Sequence, residues 1–478
     1  MNKSILDQKK HIHMIGIGGS GMYPLAQILH AKGFYVTGSD NNETDTLQAV
    51  RNMGIPVTLG QRAENIQGAD LIVHTAAIMA DNPELIAAKN SGVPVLERSE
   101  LLGIVSSWYP DAVCVSGTHG KTTTTAMLAQ ILHTAKIDLS AFIGGKLPCI
   151  GGSGCAGTSD IFVCESCEFV DTFLKLYPDI AVILNIDADH LDYFKTVENI
   201  IRSFHKFCEL TSRTIIYNGD DANTCRAVAG ITGKEFISFG YGEENQFRAV
   251  EVSHTGAQTA YTVMKSGEVL GRITLQVPGE HNILNSLAAV AACDLLGIPF
   301  ASVVQGLAAF CGAGRRFEVK AKINGITIAD DYAHHPTELT ATLRAAKQMN
   351  YNRIIAVFQP FTFSRTAQHL EEFAQSLEIA DIAVLTDIMG SREKNTYQIY
   401  TRNLAEIMHN AVYFPQDEQT EYTDERKYQN FEDVCQYVLE NAKPGDLVLT
   451  MGCGDVNKIA AMLVGRMTEI YGKQEEMA

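Results

Sequence analysis

Gly117-Thr118-His119-Gly120-Lys121-Thr122-Thr123 carries the strongest chemical signature in the 478-residue chain. The apolar run Ala112-Val113-Cys114-Val115 precedes it, and Ala126 to Leu132 follow with a helical apolar period. Strand, glycine-rich turn and helix in that order cradle a polyphosphate. Glycines let backbone N–H groups approach the phosphates, and the helix N-terminus favours negative charge. In such a loop Lys121 reaches the β- and γ-phosphates of a nucleotide and the Thr122 hydroxyl ligates Mg²⁺. The spacing is shorter than usual, because only Thr118 and His119 separate Gly117 from Gly120.

Further groups suit the same chemistry. Glu165 and Glu168 flank the end of one apolar run, and Asp187-Ala188-Asp189-His190 closes another. Mg²⁺ takes a few oxygen ligands and keeps several waters, so Thr122, Glu168 and His190 are the metal candidates. Asn282 lies before an alanine-rich helix, where its amide reads an adenine ring or simply caps the helix. Arg315-Arg316 follows Gly312-Ala313-Gly314 at a predicted domain seam, as a stabiliser of transferring phosphoryl charge or as a surface charge pair. Asp330-Asp331-Tyr332-Ala333-His334-His335 packs carboxylates and imidazoles into one turn. Adjacent histidines point differently, which favours hydrogen bonding to ligands over a metal site there.

A second glycine turn opens the chain. The strand His11 to Ile15 runs into Gly16-Ile17-Gly18-Gly19-Ser20-Gly21, and Asp40 follows a second predicted strand, Phe34 to Gly38. An acidic residue about twenty positions beyond such a turn is the ribose reader of a Rossmann unit; the alternative is a tight corner with no ligand. A nicotinamide dehydrogenase accounts for Gly16 to Asp40 but leaves residues 117–123 unexplained.

Positioning these groups takes three α/β units. The first, residues 1–107, has a helix over Leu25 to Ala31, a strand over Asp70 to Thr75, a helix over Pro83 to Asn90 and a strand over Val93 to Leu96. The second, 108–312, holds the phosphate loop and the runs Ile161 to Glu165 and Ile180 to Asn185. These are apolar on both faces, as in a parallel sheet. The third, 313–478, has strands over Ile354 to Phe358, Ile382 to Thr386 and Leu447 to Thr450, with a helix over Thr337 to Gln348.

Composition bounds the partners. A net charge of −17 argues against nucleic acid, and the 46% apolar and 19% charged content fit a globular protein. No run is long enough for membrane insertion, no signal peptide is visible, and the chain reads as cytoplasmic, a monomer or weak homodimer. Eleven scattered cysteines fit reduced thiols, and Cys164-Glu165-Ser166-Cys167 lacks the second pair of a zinc site.

Taken together, the motifs resemble the Mur ligase family over essentially the whole chain. The resemblance rests on Gly16 to Met22, Gly117 to Thr123, Asn185 to Asp192, Gly279 to Asn282, Arg315 to Glu318, Asp331 to Pro336 and Gly452 to Asp455. The family's short loop, G-T-x-G-K-T, accounts for the glycine spacing. The resemblance implies three α/β domains: an N-terminal Rossmann-like UDP-binding domain, a central parallel sheet with the phosphate loop, and a Rossmann-like C-terminal domain. It also implies an ATP- and Mg²⁺-dependent ligase that joins L-alanine to the lactyl carboxylate of UDP-N-acetylmuramate through an acyl phosphate. The alternatives are a murein-peptide ligase, or a ligase for glycine or serine.

By the resemblance, Gly18, Gly19, Ser20, Gly21, Asp40, His74 and Thr75 hold the UDP substrate. Gly117, Thr118, His119, Gly120, Lys121, Thr122, Thr123, Asn282, Arg316, Asp330 and Asp331 contact ATP, with Lys121, Glu168, His190 and Arg316 catalytic. His334 and Arg365 fall at the amino-acid pocket. The chain departs from the family at two places. Glu165-Ser166-Cys167-Glu168-Phe169-Val170 stands where E-A-D-E-S-D is common, and Phe361 replaces a histidine in F-Q-P-H.

Overall fold

Strands that are apolar on both faces have to be buried on both faces, and the chain meets this with three sheets. The computed structural model describes residues 3–255, 258–391, 393–415 and 429–475. The first sheet comprises β1 (His11–Ile15), β2 (Tyr35–Asp40), β3 (Val57–Leu59), β4 (Leu71–His74) and β5 (Val95–Glu97), all parallel in the order β3-β2-β1-β4-β5. Its central register sets Ile12 against Val36 and Leu71, which places the glycine turn at the carboxyl end of the middle strand. Ligands of open α/β sheets bind at that end.

The second sheet has ten strands. They are β6 (Asp111–Ser116), β7 (Ser140–Leu147), β8 (Gly152–Cys155), β9 (Ile161–Glu165), β10 (Ile180–Ile183), β11 (Thr214–Asn218), β12 (Glu235–Gly240), β13 (Phe247–Thr255), β14 (Gln258–Lys265) and β15 (Glu268–Leu275). Their order is β15-β14-β13-β12-β11-β10-β6-β9-β7-β8. The middle strands β10, β6 and β9 run parallel, so the phosphate loop and both acidic clusters emerge at one edge. The third sheet follows the order β16-β17-β21-β18-β19-β20, with β16 (Glu318–Ile323), β17 (Ile326–Asp331), β18 (Ile354–Phe358), β19 (Ile382–Leu385), β20 (Ala411–Tyr413) and β21 (Leu447–Met451). Only β16 in this sheet is antiparallel to its neighbour.

The chain packs as two units. One runs from the N-terminus to Ser253 and takes in Ala260–Leu275 and Asn282–Ala313; the other holds His254–Thr259, Gln276–His281 and everything from Gly314. The first two sheets therefore share a unit. Trp108 stacks on Phe34 with ring centroids 6.4 Å apart, and Ser106 Oγ accepts from Tyr177 N at 3.0 Å across their junction.

Several boundaries differ from the sequence reading. The first helix begins at Tyr23 rather than Leu25, since Pro24 suits a first helical turn. Phe34 falls before β2, which continues to Asp40. The alanine-rich helix of the central segment starts at His281, so Asn282 lies inside its first turn and does not cap it.

Beneath the first glycine turn lies a buried polar network. Glu84, fully buried, has one oxygen 2.6 Å from His13 Nε2, and its other oxygen accepts from Ser39 Oγ at 2.7 Å and Asn65 Nδ2 at 3.2 Å. Buried polar groups left without partners cost about 1–3 kcal/mol each. Glu84→Ala orphans His13 and Ser39 and is expected to destabilise the first unit by about 3 kcal/mol. Urea unfolding followed by Trp108 fluorescence measures this, and a loss under about 1 kcal/mol would contradict it.

Candidate active site

The phosphate loop turns on two glycines in left-handed backbone, Gly117 at φ 148° and Gly120 at φ 85°. Gly120 caps the helix Lys121–Thr134, and a side chain there would collide with the Asn285 carboxamide. Lys121, at the first helical position, folds its side chain back over the loop. Its Nζ donates to Gly117 O at 2.5 Å and Thr118 O at 2.9 Å and lies 2.9 Å from Glu168 Oε2. Burial pulls the pKa of this ammonium down; Glu168, with Cys167 and Glu165 behind it, outweighs burial and raises it. The Thr122 hydroxyl donates to Glu165 Oε1 at 2.9 Å, while Glu165 Oε2 accepts from Gly144 N at 2.7 Å.

The strand end after β10 closes the other side. Asn185 clamps His119 by two bonds, Oδ1 accepting from His119 N at 2.8 Å and Nδ2 donating to His119 O at 3.0 Å. Thr118 Oγ1 accepts from Asp187 N at 2.9 Å. Asn285 Nδ2 donates to Asn282 Oδ1 at 3.0 Å, which brings Asn282 beside Gly120. His190 follows Asp189 in left-handed backbone and precedes a short helix. Its ring packs on Phe169 with centroids 4.5 Å apart, and Nε2 is 3.7 Å from Asp189 Oδ2. After Glu168 the backbone passes through left-handed turns at Val170 and Asp171.

Thr122, Glu165 and Glu168 supply a hydroxyl and two carboxylates at one end of the loop, an oxygen donor set suited to Mg²⁺. Among the described residues no group of three or more His, Cys, Asp or Glu side chains is gathered as a metal cage. Asn185 and Asn285 are site residues to which the sequence reading gave no role, and Glu165, singled out there beside Glu168, is the carboxylate that accepts from Thr122. The available signals were the Thr122-to-Glu165 pairing implied by adjacent parallel strands and the three-residue step from Asn282 to Asn285. All eleven cysteines are free thiols, including Cys164 and Cys167.

In the first sheet the glycine turn is tied to the end of β2. Gly18 N donates to Asp40 Oδ2 at 3.0 Å, and Gly16 N donates to Ser39 O at 2.8 Å. Gly19 N bonds Gly16 O, and Ser20 O accepts from Ser153 Oγ of the second sheet at 3.4 Å. Thr75 crowds Gly16, and His74 Nδ1 lies 3.0 Å from Thr75 O, at the end of β4. Gly21 abuts the Arg98 side chain.

The second unit gathers its candidates around β17. Asp330 is fully buried and holds Arg315: Oδ2 lies 2.9 Å from Arg315 Nε, and Oδ1 accepts from Thr450 Oγ1 at 2.6 Å. Asp331 accepts from Phe317 N at 2.7 Å and Ala333 N at 2.8 Å; burial raises its carboxyl pKa against the opposing pull of Arg316. Both aspartates are thus engaged inside the unit. Arg315 and Arg316 flank the Tyr332 ring at 4.9 and 5.1 Å. Arg315 also donates to the carbonyls of Gly452 and Gly454. His334 Nδ1 is 3.0 Å from Tyr332 O and 3.3 Å from Glu338 Oε2. Arg365 lies in the helix Phe363–Gln368 and draws down the Cys453 thiol, which burial nonetheless pushes up to about 12.

Known proteins share this arrangement. The chain matches the catalytic domain of the Mur ligase family over residues 11–109, the Mur ligase middle domain over 115–293 and the Mur ligase glutamate ligase domain over 315–454. It is 43% identical to a UDP-N-acetylmuramate–L-alanine ligase of Acetivibrio thermocellus, across 96% of this chain and 97% of that one. It is 42% identical to the enzyme of that name from Agathobacter rectalis, across 95% and 97%. Among solved structures, the UDP-N-acetylmuramate–alanine ligase of Thermotoga maritima aligns with a TM-score of 0.80 at 28% identity, covering 97% of this chain and all of that one. A murein peptide ligase of Psychrobacter arcticus aligns at 0.71 and 25% identity, over 96% and 98%. With these matches along nearly its entire length, the chain belongs to the Mur ligase family.

Proposed function

We propose that this protein is an ATP-dependent ligase that joins L-alanine to UDP-N-acetylmuramate in peptidoglycan precursor synthesis. The observation that carries the reading is the Lys121 ammonium, held between loop carbonyls and Glu168 at the end of a parallel sheet, with Thr122 and Glu165 beside it. Full-length likeness to alanine ligases selects this substrate pair over that of the peptide ligase, whose similarity is lower.

The reaction follows from what the residues do. An oxygen of the lactyl carboxylate attacks the γ-phosphorus of ATP, the bond to the β-phosphate bridge breaks, and ADP leaves. The alanine amine then attacks the acyl carbon, a tetrahedral intermediate collapses, inorganic phosphate departs with that carboxylate oxygen, and the nitrogen loses its extra proton. Positioning and charge neutralisation dominate such phosphoryl transfer. The loop N–H groups and Lys121 take the phosphate oxygens, and Asn282, held by Asn285, takes the adenine. Thr122, Glu165, Glu168 and His190 are the residues that would hold Mg²⁺, which supplies charge neutralisation on the β- and γ-phosphates.

Arg316, Asp330 and Asp331 serve ATP from the C-terminal domain, Asp330 by fixing Arg315 and Asp331 by fixing the turn at Phe317. Gly18 to Gly21, Asp40, His74 and Thr75 receive the UDP moiety. His334 and Arg365 serve the amino acid. We place the domain limits at 1–107, 108–312 and 313–478, and expect a cytoplasmic enzyme that is a monomer or weak homodimer.

Lys121→Ala is expected to lower phosphate release at least about a thousandfold, as loss of a preorganised charge does, while calorimetric binding of UDP-N-acetylmuramate persists. Turnover near the parent rate would remove the loop from the reaction. Glu168→Ala is expected to lose activity that added Mg²⁺ restores only in part; an unchanged Mg²⁺ dependence would remove Glu168 from the metal site. Phosphate release across alanine, glycine, serine and short peptides should be fastest with L-alanine, whereas preference for a peptide would transfer the chain to the murein-peptide class.

A further inference from the structure

Arg98 carries its charge at a helix end that disfavours it, beside the Glu97 carboxylate and an aromatic ring. It is the first residue of the helix Arg98–Ser106, at the end where the helix dipole disfavours positive charge. Among the described residues no ion pair joins it. The neighbouring Glu97 carboxylate accepts from Ser99 N and Ser99 Oγ and pairs with Lys175 Nζ at 3.3 Å, and Glu100 accepts from Glu97 N at 2.8 Å. The guanidinium instead lies over the Phe142 ring of β7, 5.8 Å from its centroid. A local rule broken without a visible internal gain marks a functional position.

Its location gives the function. A Cβ at Gly21 would lie 3.0 Å from Arg98 Cδ and 3.2 Å from Nη1, so the last glycine of the turn is small because the arginine passes over it. The same turn opens the helix Tyr23–Ala31, and β7 continues from Phe142 to Gly144, whose N–H reaches Glu165 beside the phosphate loop. Arg98 therefore lies between the N-terminal glycine turn and the catalytic loop, in a chain of net charge −17.

We propose that Arg98 binds the pyrophosphate of the sugar nucleotide and so sets where its acyl end meets the phosphate loop. The inference rests on the ligase reading above. A planar guanidinium presents a fork of donors that matches phosphate oxygens in pairs, and the Phe142 ring attracts that cation toward β7. The N–H groups of Gly16, Ile17, Gly18 and Gly19 are spent within the fold, so those of Ser20 and Gly21 take one face of the pyrophosphate and Arg98 the other. Asp40 supports the arrangement from beneath by bonding Gly18 N.

Calorimetric titration of the full chain with UDP, UMP and uridine tests this, with UDP-N-acetylmuramate turnover as the control for the functional reading. Arg98→Met keeps an unbranched stem over Phe142 but no donor fork. It should bind UDP about tenfold to a hundredfold more weakly, the size expected for charged hydrogen bonds, and bind uridine as the parent does. Arg98→Lys should recover part of the loss. Gly21→Ala, which presses on the arginine stem, should also weaken UDP more than uridine; if Arg98→Met does not fold, Arg98→Gln, which likewise lacks the charged fork, takes its place. A parent-like ratio of UDP to uridine affinity in both Arg98→Met and Gly21→Ala would overturn the assignment while leaving the ligase reading intact. Equal losses for UDP and uridine would reduce Arg98 to a packing role and also overturn it. A parent protein that neither binds UDP nor turns over UDP-N-acetylmuramate would defeat the functional reading, and the inference with it.

Discussion

Everything at the catalytic edge of this molecule depends on one buried ammonium. Lys121 is satisfied by two loop carbonyls and the Glu168 carboxylate, and those contacts hold the glycine turn in shape before any nucleotide arrives. Burial pulls the pKa of a lysine down, and a carboxylate partner opposes that pull. Glu168 keeps the charge in place, and with it the positive field that a polyphosphate needs in an acidic protein. Glu165 does the equivalent task for the Thr122 hydroxyl. The pairing of two carboxylates with a lysine and a threonine is thus a single electrostatic unit, assembled by two adjacent parallel strands, β6 and β9.

The parallel sheet is what makes that unit possible. The order β10-β6-β9 places the loop after β6 between the strand ends that carry Asn185 and Glu165. Asn185 fixes His119, and Asn285 fills the space over Gly120. The glycines are small for a specific reason: a neighbouring side chain already occupies the position of their missing Cβ. At Gly21 the Arg98 side chain comes within 3.0 Å of that position.

The sequence made the strands and glycine turns legible because buried parallel strands are unbroken apolar runs and the turns follow them directly. His11 to Ile15 and Pro83 to Asn90 match the observed elements at both ends. The strands β13 to β15 escaped notice, since their polar alternation lacks the apolar runs of the central strands. Individual contacts were less legible still. Nothing in the spacing distinguishes Arg315, which pairs with Asp330, from Arg316, which lies nearer Asp331; only the left-handed backbone at Arg315 and Phe317 separates them. Phe361 remains the position where this chain departs from its family's pocket motif. It pairs through its backbone with Met389 and puts an aromatic ring where a histidine is common.

The central claim is that Lys121 manages a phosphoryl group on its way to a carboxylate, not to water. Oxygen tracing tests it directly. With UDP-N-acetylmuramate carrying ¹⁸O in its lactyl carboxylate, turnover with ATP and L-alanine in ordinary water should deliver one labelled oxygen to each inorganic phosphate released. Phosphate that carries no label from the carboxylate would mean that ATP is hydrolysed by water, and would contradict the acyl phosphate route.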